Sequence, residues 1–216
     1  MCIRDSIKSV TLGFSSSPLI EQFSIDIDAG EIALITAPSG YGKSTLLSWI
    51  SGMPSPNLEA SGEINLNGRA IQDLPIEKRR VGMIFQDPLM FPHLTVAGNL
   101  AFGLTSDIPN KQRKEIISET LASIGMEGFE HRDAMTLSGG QKARLALMRS
   151  LLAKPEALLL DEPFSGLDGQ TRDDFAALVK NKIKSSKLPV LMVSHDPRDH
   201  DYADKPAIAL DTLVAS

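Results

Sequence analysis

Ala37-Pro38-Ser39-Gly40-Tyr41-Gly42-Lys43-Ser44-Thr45 decides the fold. Glu31 to Ala37 reads as a buried strand, Pro38 to Gly42 as a loop, and Lys43 to Ile50 as a helix stopped by Gly52 and Pro54. Glycines in such a loop let successive backbone N–H groups turn inward around a phosphate. The helix N-terminus that follows adds its partial positive charge. The stretch matches the phosphate-binding P-loop except that Ala37 stands in place of the first glycine. Lys43 is then expected to reach the outer phosphates and Ser44 to hold Mg²⁺. Ser39, Gly40, Tyr41, Gly42 and Thr45 complete the expected phosphate site. An ordinary strand–turn–helix is the bland alternative, and Ala37 reshapes the loop if its position needs a positive φ.

Outward from this loop the chain alternates strand-like and helix-like segments. Ile25-Asp26-Ile27-Asp28 and Ile64-Asn65-Leu66-Asn67 alternate apolar and polar residues, as half-exposed strands do. Ile32-Ala33-Leu34-Ile35, residues 157–160 and residues 190–193 are apolar throughout, which suits parallel strands covered on both faces. Between residues 87 and 155 the pattern is helical. Thr95 caps one helix, Pro109 opens a second with Ile117, Leu121 and Ile124 on one face, and Ser138 begins a third that runs to about Ala153. The expected class is α/β, with antiparallel strands early, a parallel core and a helical insert at about 87–155.

A second constellation supports the first. Ala157-Leu158-Leu159-Leu160-Asp161-Glu162-Pro163 is an apolar strand whose tip carries two carboxylates. Such acids are costly at a buried strand end unless a cation or hydrogen bonds receive them. Beside a P-loop, Asp161 is expected to hold Mg²⁺ and Glu162 to orient or deprotonate an attacking water at the γ-phosphate. The alternative is a solvated turn with no chemistry.

The 216 residues are 42% apolar and 23% charged, enough for a substantial core and unlike a disordered chain. With 22 basic and 27 acidic residues the net charge is −5, which argues against general affinity for nucleic acid. The single cysteine, Cys2, forms no internal disulfide, and a reducing compartment fits. The longest apolar run, residues 175–179, falls far short of the roughly 18 residues a membrane span needs. Residues 1–6 carry no readable signal and no leader pattern. A soluble, cytoplasmic protein is expected.

Leu137-Ser138-Gly139-Gly140-Gln141 precedes a helix with Leu145, Met148, Leu151 and Leu152 on its apolar side. Ser138 with Gln141 three residues on fits a capping box. Two adjacent glycines weaken a helix start by about 1 kcal/mol each relative to alanine, and a cap alone does not need them. This pentapeptide, lying between the P-loop and Asp161-Glu162, resembles the signature of ABC (ATP-binding cassette) ATPases. The resemblance extends from about Ile7 to Leu210. Val10-Thr11-Leu12-Gly13-Phe14 resembles the segment whose aromatic stacks on adenine, with a core phenylalanine as the alternative for Phe14. Residues 81–88, ending Phe85-Gln86-Asp87-Pro88, resemble the Q-loop, which implies contact of Gln86 with Mg²⁺ and the attacking water. Ser165-Gly166-Leu167-Asp168 is similar to the D-loop, and Met192-Val193-Ser194-His195-Asp196 puts His195 at the family's switch histidine. His93, His131 and His200 are read as surface or packing residues.

The resemblance implies a single ABC ATPase domain over 7–216, with 1–6 unassigned. It implies ATP and Mg²⁺ as ligands. It also implies head-to-tail pairing of two cassettes, each ATP lying between the P-loop of one and Ser138, Gly139, Gly140, Gln141 and Asp168 of the other. Phe91-Pro92-His93-Leu94-Thr95-Val96-Ala97-Gly98-Asn99-Leu100 resembles importers for thiamine, ferric iron, sulfate and polyamines. The implied partners are a second cassette, most simply a homodimer, membrane permease subunits and an extracytoplasmic solute-binding protein, with no nucleic acid. The implied location is the inner face of the cell membrane. Alternatives are a soluble ABC ATPase acting on nucleic acid or ribosomes, or an exporter-type cassette. Three departures stand out. Ala143 and Met148 replace common glutamine and alanine, the segment after His195 is abbreviated, and the chain stops soon after Leu210, without the regulatory domain of sugar-importer cassettes.

Overall fold

Runs of consecutive apolar residues fold stably only where both faces are covered, and three such runs here lie side by side in one parallel sheet. The computed structural model describes residues 5–15, 17–38 and 40–210, the Ser17 side chain aside. In chain order the strands are β1 (Asp5–Phe14), β2 (Ser17–Ile27), β3 (Ile32–Thr36), β4 (Glu59–Leu66), β5 (Arg69–Ala70), β6 (Val81–Ile84), β7 (Ala157–Asp161), β8 (Val190–Ser194) and β9 (Ile208–Ala209). The helices are α1 (Lys43–Ser51), α2 (Ile76–Arg79), α3 (Val96–Phe102), α4 (Asn110–Ala122), α5 (Gly139–Leu152) and α6 (Gly169–Ser186). Within the described residues the chain divides into two compact units. One runs to Met83 and takes in Glu156–Glu162 and the chain from Lys180 onward; the other comprises Ile84–Pro155 and Pro163–Val179.

In the first unit, a five-stranded sheet has the order β6-β7-β8-β3-β9. β8 is parallel to both neighbours, with Asp161 opposite Val193 and Ser194 opposite Thr36. The C-terminal tips of β7, β8 and β3 are therefore adjacent, which is where open parallel sheets place their ligands. The short segment after His195 still reaches this sheet, for Ile208 and Ala209 of β9 pair with Ile35 and Thr36. A four-stranded antiparallel sheet of order β2-β1-β4-β5 completes the unit. Residues 1–6 were left unassigned on sequence grounds, yet Asp5 and Ser6 are buried members of β1, opposite Ile27 and Asp26. Polar side chains and register shifts, with Ser9 at φ 49°, blur the alternation there. One apolar core joins Val10, Leu12, Ile20 and Phe23 to Leu46, Leu47, Ile35 and Val193.

The second unit holds α3, α4 and α5 together with Pro163–Val179. Thr95 caps α3 by accepting from the Gly98 amide, Pro109 precedes α4, and Gly125 adopts φ 70° beyond it. Leu100, Leu121, Ile124, Leu145 and Met148 form its core. Ala143 and Met148, the departures noted in α5, are both buried. Asn99, wholly buried, donates to the carbonyls of Phe91, Leu94 and Thr95 and accepts from the Phe91 amide and the Arg149 guanidinium. These bonds fix the segment between Leu89 and Thr95 against α5.

Candidate nucleotide site

α1 begins without a side-chain cap, on Gly42 at φ 79°, and Gly40 lies at φ 91°. A Cβ on Gly40 would meet nothing within 4 Å. Open space beside Gly40 and a nine-residue helix that starts without a side-chain cap suit an anion. Ala37 is buried and is not among the positive-φ residues, so its Cβ imposes no strain and the glycine it replaces is not needed for backbone freedom. Lys43, only 6% exposed, donates from Nζ to Ala37 O at 2.6 Å and Pro38 O at 3.1 Å. Tyr41 is exposed and Thr45 half-buried; Ser39 lies outside the described residues.

At the adjoining tip of β7, Asp161 is 7% exposed and the Ser44 side chain acts on its carboxylate. Burial pushes the Asp161 carboxyl up from its ordinary range, against the Ser44 side chain; the Glu162 charge raises it further and Lys43 opposes. Mg²⁺ keeps several waters and phosphate oxygens and needs only one or two protein oxygens, so this hydroxyl–carboxylate pair fits it. Among the described residues no group of three or more His, Cys, Asp or Glu side chains offers an all-protein cage.

Glu162 adopts φ 46°, a left-handed conformation that costs a non-glycine residue roughly 1–3 kcal/mol. Its amide donates to Val193 O at 2.9 Å, which ties the strained residue to β8. Its Oε1 lies 2.9 Å from His195 Nδ1 and 3.7 Å from Lys43 Nζ. The order β7-β8-β3 brings these residues together: each of the three follows a different strand of the sheet.

The other sequence-predicted residues lie elsewhere. Phe14 ends β1 half-buried, outside the core, and lines a cavity of about 350 Å³ with Pro18, Glu59 and Ser61. In the second unit the capping box is present: Ser138 N donates to Gln141 Oε1 at 3.0 Å and Gln141 N to Ser138 Oγ at 3.3 Å. With its oxygen accepting from that amide, the exposed Ser138 hydroxyl keeps its proton for another acceptor. The two glycines differ. A Cβ on Gly140 would lie 2.4 Å from Thr171 Cγ2, whereas one on Gly139 would meet only Leu167 Cδ2 at 3.7 Å. Gly140 thus has a packing reason beyond the cap, and Gly139 has none of comparable closeness. Asp168 clamps the start of α6, accepting from Thr171 N at 3.0 Å and Thr171 Oγ1 at 2.8 Å, and these bonds hold its carboxyl below its usual range. Gln86 is exposed and donates to Ser165 Oγ at 3.4 Å. His93, His131 and His200 are exposed.

The family profile described as ABC transporter matches residues 20–165. The chain belongs to the ABC transporter family. It is an ATP-binding subunit of that family and an ATPase. It is 42% identical over 193 residues to the uncharacterized ABC transporter ATP-binding protein YnjD of Escherichia coli, covering 89% of each chain. It is 37% identical over 195 residues to the spermidine/putrescine import ATP-binding protein PotA of Mesoplasma florum, covering 89% of this chain and 55% of that one. PotA of Legionella pneumophila (strain Lens) is 35% identical over 194 residues, with 52% of its length matched. The chain spans about half the length of these PotA proteins. Among the described residues no helix is long and apolar enough to cross a membrane.

Sequence reasoning missed Arg79. Its buried guanidinium donates to Trp49 O and Ile50 O at 2.7 and 2.9 Å, and to Leu74 O and Gln72 O. A cation on the last carbonyls of α1 complements the negative end of the helix whose positive end faces the P-loop. Gly52, at φ 94°, leaves room for it: a Cβ there would sit 2.9 Å from Arg79 Nε. Arg79 lies far along the chain from Gly52, so no local sequence pattern pointed to this meeting.

Proposed function

We propose that this ATPase energises a solute importer, pairing head to tail with a second copy around ATP and docking on membrane permease subunits at the cytoplasmic face. Domain 7–216 acts as one cassette, and an extracytoplasmic solute-binding protein delivers the solute. The observation that carries the catalytic part is the Glu162 carboxylate beside the P-loop, held near both His195 and Lys43. Lys43 and the loop amides hold the outer phosphates, and Glu162 takes the proton of the attacking water. His195 holds Glu162 and the γ-phosphate in register, while Gln86 approaches the same water. Ser44, Asp161 and Gln86 would hold Mg²⁺, which would supply charge neutralisation to the phosphate. The aromatic ring of Phe14 stacks on adenine. From the partner copy, the Ser138 hydroxyl, the open face at Gly139 and the exposed amides at the start of α5 reach the γ-phosphate, with Gly140, Gln141 and Asp168 shaping that surface. Coupling works because the γ-phosphate binds the paired state better than the separated one. The importer reading draws on residues 91–100 and on the likeness to the spermidine/putrescine import proteins PotA.

Glu162→Gln tests the base. Phosphate release by the full chain falls by about 10²–10⁴-fold while ATP binding persists. Turnover within a fewfold of wild type removes Glu162 from the role.

A further inference from the structure

His195 follows β8 with 52% of its side chain in solvent, so packing does little to hold its imidazole against Glu162. What anchors its backbone is buried. Ser194, the last residue of β8, and Asp199, in a 3₁₀ turn over Pro197–Tyr202, are each 2% exposed. Ser194 Oγ donates to Asp199 Oδ2 at 2.5 Å, and the same oxygen accepts from the Asp196 amide at 3.0 Å. Both chain neighbours of His195 are thus tied to one hydroxyl. The Asp199 amide closes the loop by donating to Asp196 O at 3.0 Å.

We propose that Asp199 is a positioning residue for His195, acting through the Ser194 hydroxyl. The inference rests on the reading of Glu162 and His195 given above. A carboxylate only accepts, so it draws the single Ser194 proton to itself and turns the hydroxyl lone pairs toward the Asp196 amide. An amide at 199 presents donors as well as an acceptor, and the direction of the hydroxyl is no longer set. A buried carboxylate costs the fold more than a neutral side chain of equal size. Its bond to the residue before an exposed site histidine assigns it to orientation, where a misplacement of about 1 Å costs up to ~10²-fold in rate.

The test is a double-mutant cycle on the full chain, with Mg-ATP turnover and thermal melting measured for each variant. Asp199→Asn lowers kcat by about ten-fold, with KM for ATP within twofold and little change in Tm. Asp199→Glu, which keeps the carboxylate, recovers part of the loss. In a His195→Ala background Asp199→Asn has no further effect, because the group it positions is gone. Should Asp199→Asn fail to fold, Ser194→Ala breaks the same link and carries the same expectation. A kcat within twofold of wild type overturns the inference, and so does an undiminished loss in the His195→Ala background. If His195→Ala itself leaves kcat unchanged, the role of His195 falls and this inference with it. A His195 effect that Asp199→Asn does not share overturns the inference alone.

Discussion

A carboxylate with 7% exposure is kept at the tip of β7 although its burial opposes ionisation. With its folded-state pKa above the unfolded value, Asp161 binds its proton more tightly in the folded protein. Its contribution to stability therefore declines as pH rises through the interval from the ordinary carboxyl value to the raised one, and the full cost is present at neutral pH. Asp161→Asn removes that charge and keeps an acceptor for Ser44. Without nucleotide the variant is expected to melt higher near pH 7, by about 1 kcal/mol or 2–4 °C, the gap closing toward acid pH. Calorimetry across that range checks it, and the same variant loses its response to Mg²⁺ in an ATPase titration. Lys43→Ala is a second residue-scale expectation. Loss of a charge-assisted phosphate contact weakens ATP binding by about ten-fold or more in titration calorimetry.

At the scale of elements, the start of α5 separates what the fold needs from what it tolerates. Gly139→Ala places its Cβ in ordinary contact and favours the helix, so its melting temperature holds or rises. Gly140→Ala drives a methyl into the β-branched Thr171, whose hydroxyl is bound to Asp168, and is expected to cost about 1–3 kcal/mol. Thermal denaturation of the two variants reads the contrast directly. β3, β7 and β8 were legible as apolar runs because both their faces are covered, and the P-loop and paired acids because their residues are contiguous. β1 was only partly legible, since Lys8 and Ser9 interrupt the apolar pattern and its register shifts. α6 was missed because it opens Gly169-Gln170-Thr171-Arg172-Asp173-Asp174, with no apolar residue in its first turn. The meeting of Glu162 with His195, and of Arg79 with the end of α1, depends on which elements are spatial neighbours, which no local spacing encodes.

At the scale of the whole molecule, the phosphate loop with its acids and the Ser138–Gln141 helix start belong to different compact units. On the proposed reading a second copy completes each nucleotide site. Glu162→Gln then accumulates as a pair when ATP is added, seen as a doubling of mass by light scattering. Ser138→Arg, which puts a long cation at the exposed helix start, leaves the single copy folded and abolishes that doubling. A Ser138→Arg protein that still doubles its mass with ATP contradicts assembly through this surface.

Thr171 serves two neighbours at once: Asp168 holds its amide and hydroxyl, while its methyl fills the notch at Gly140. The turn before α6 and the glycine step of α5 are in this way keyed together, with no slack side chain between them. A displacement of Asp168 is therefore expected to move Thr171 and, with it, the contact that Gly140 leaves room for.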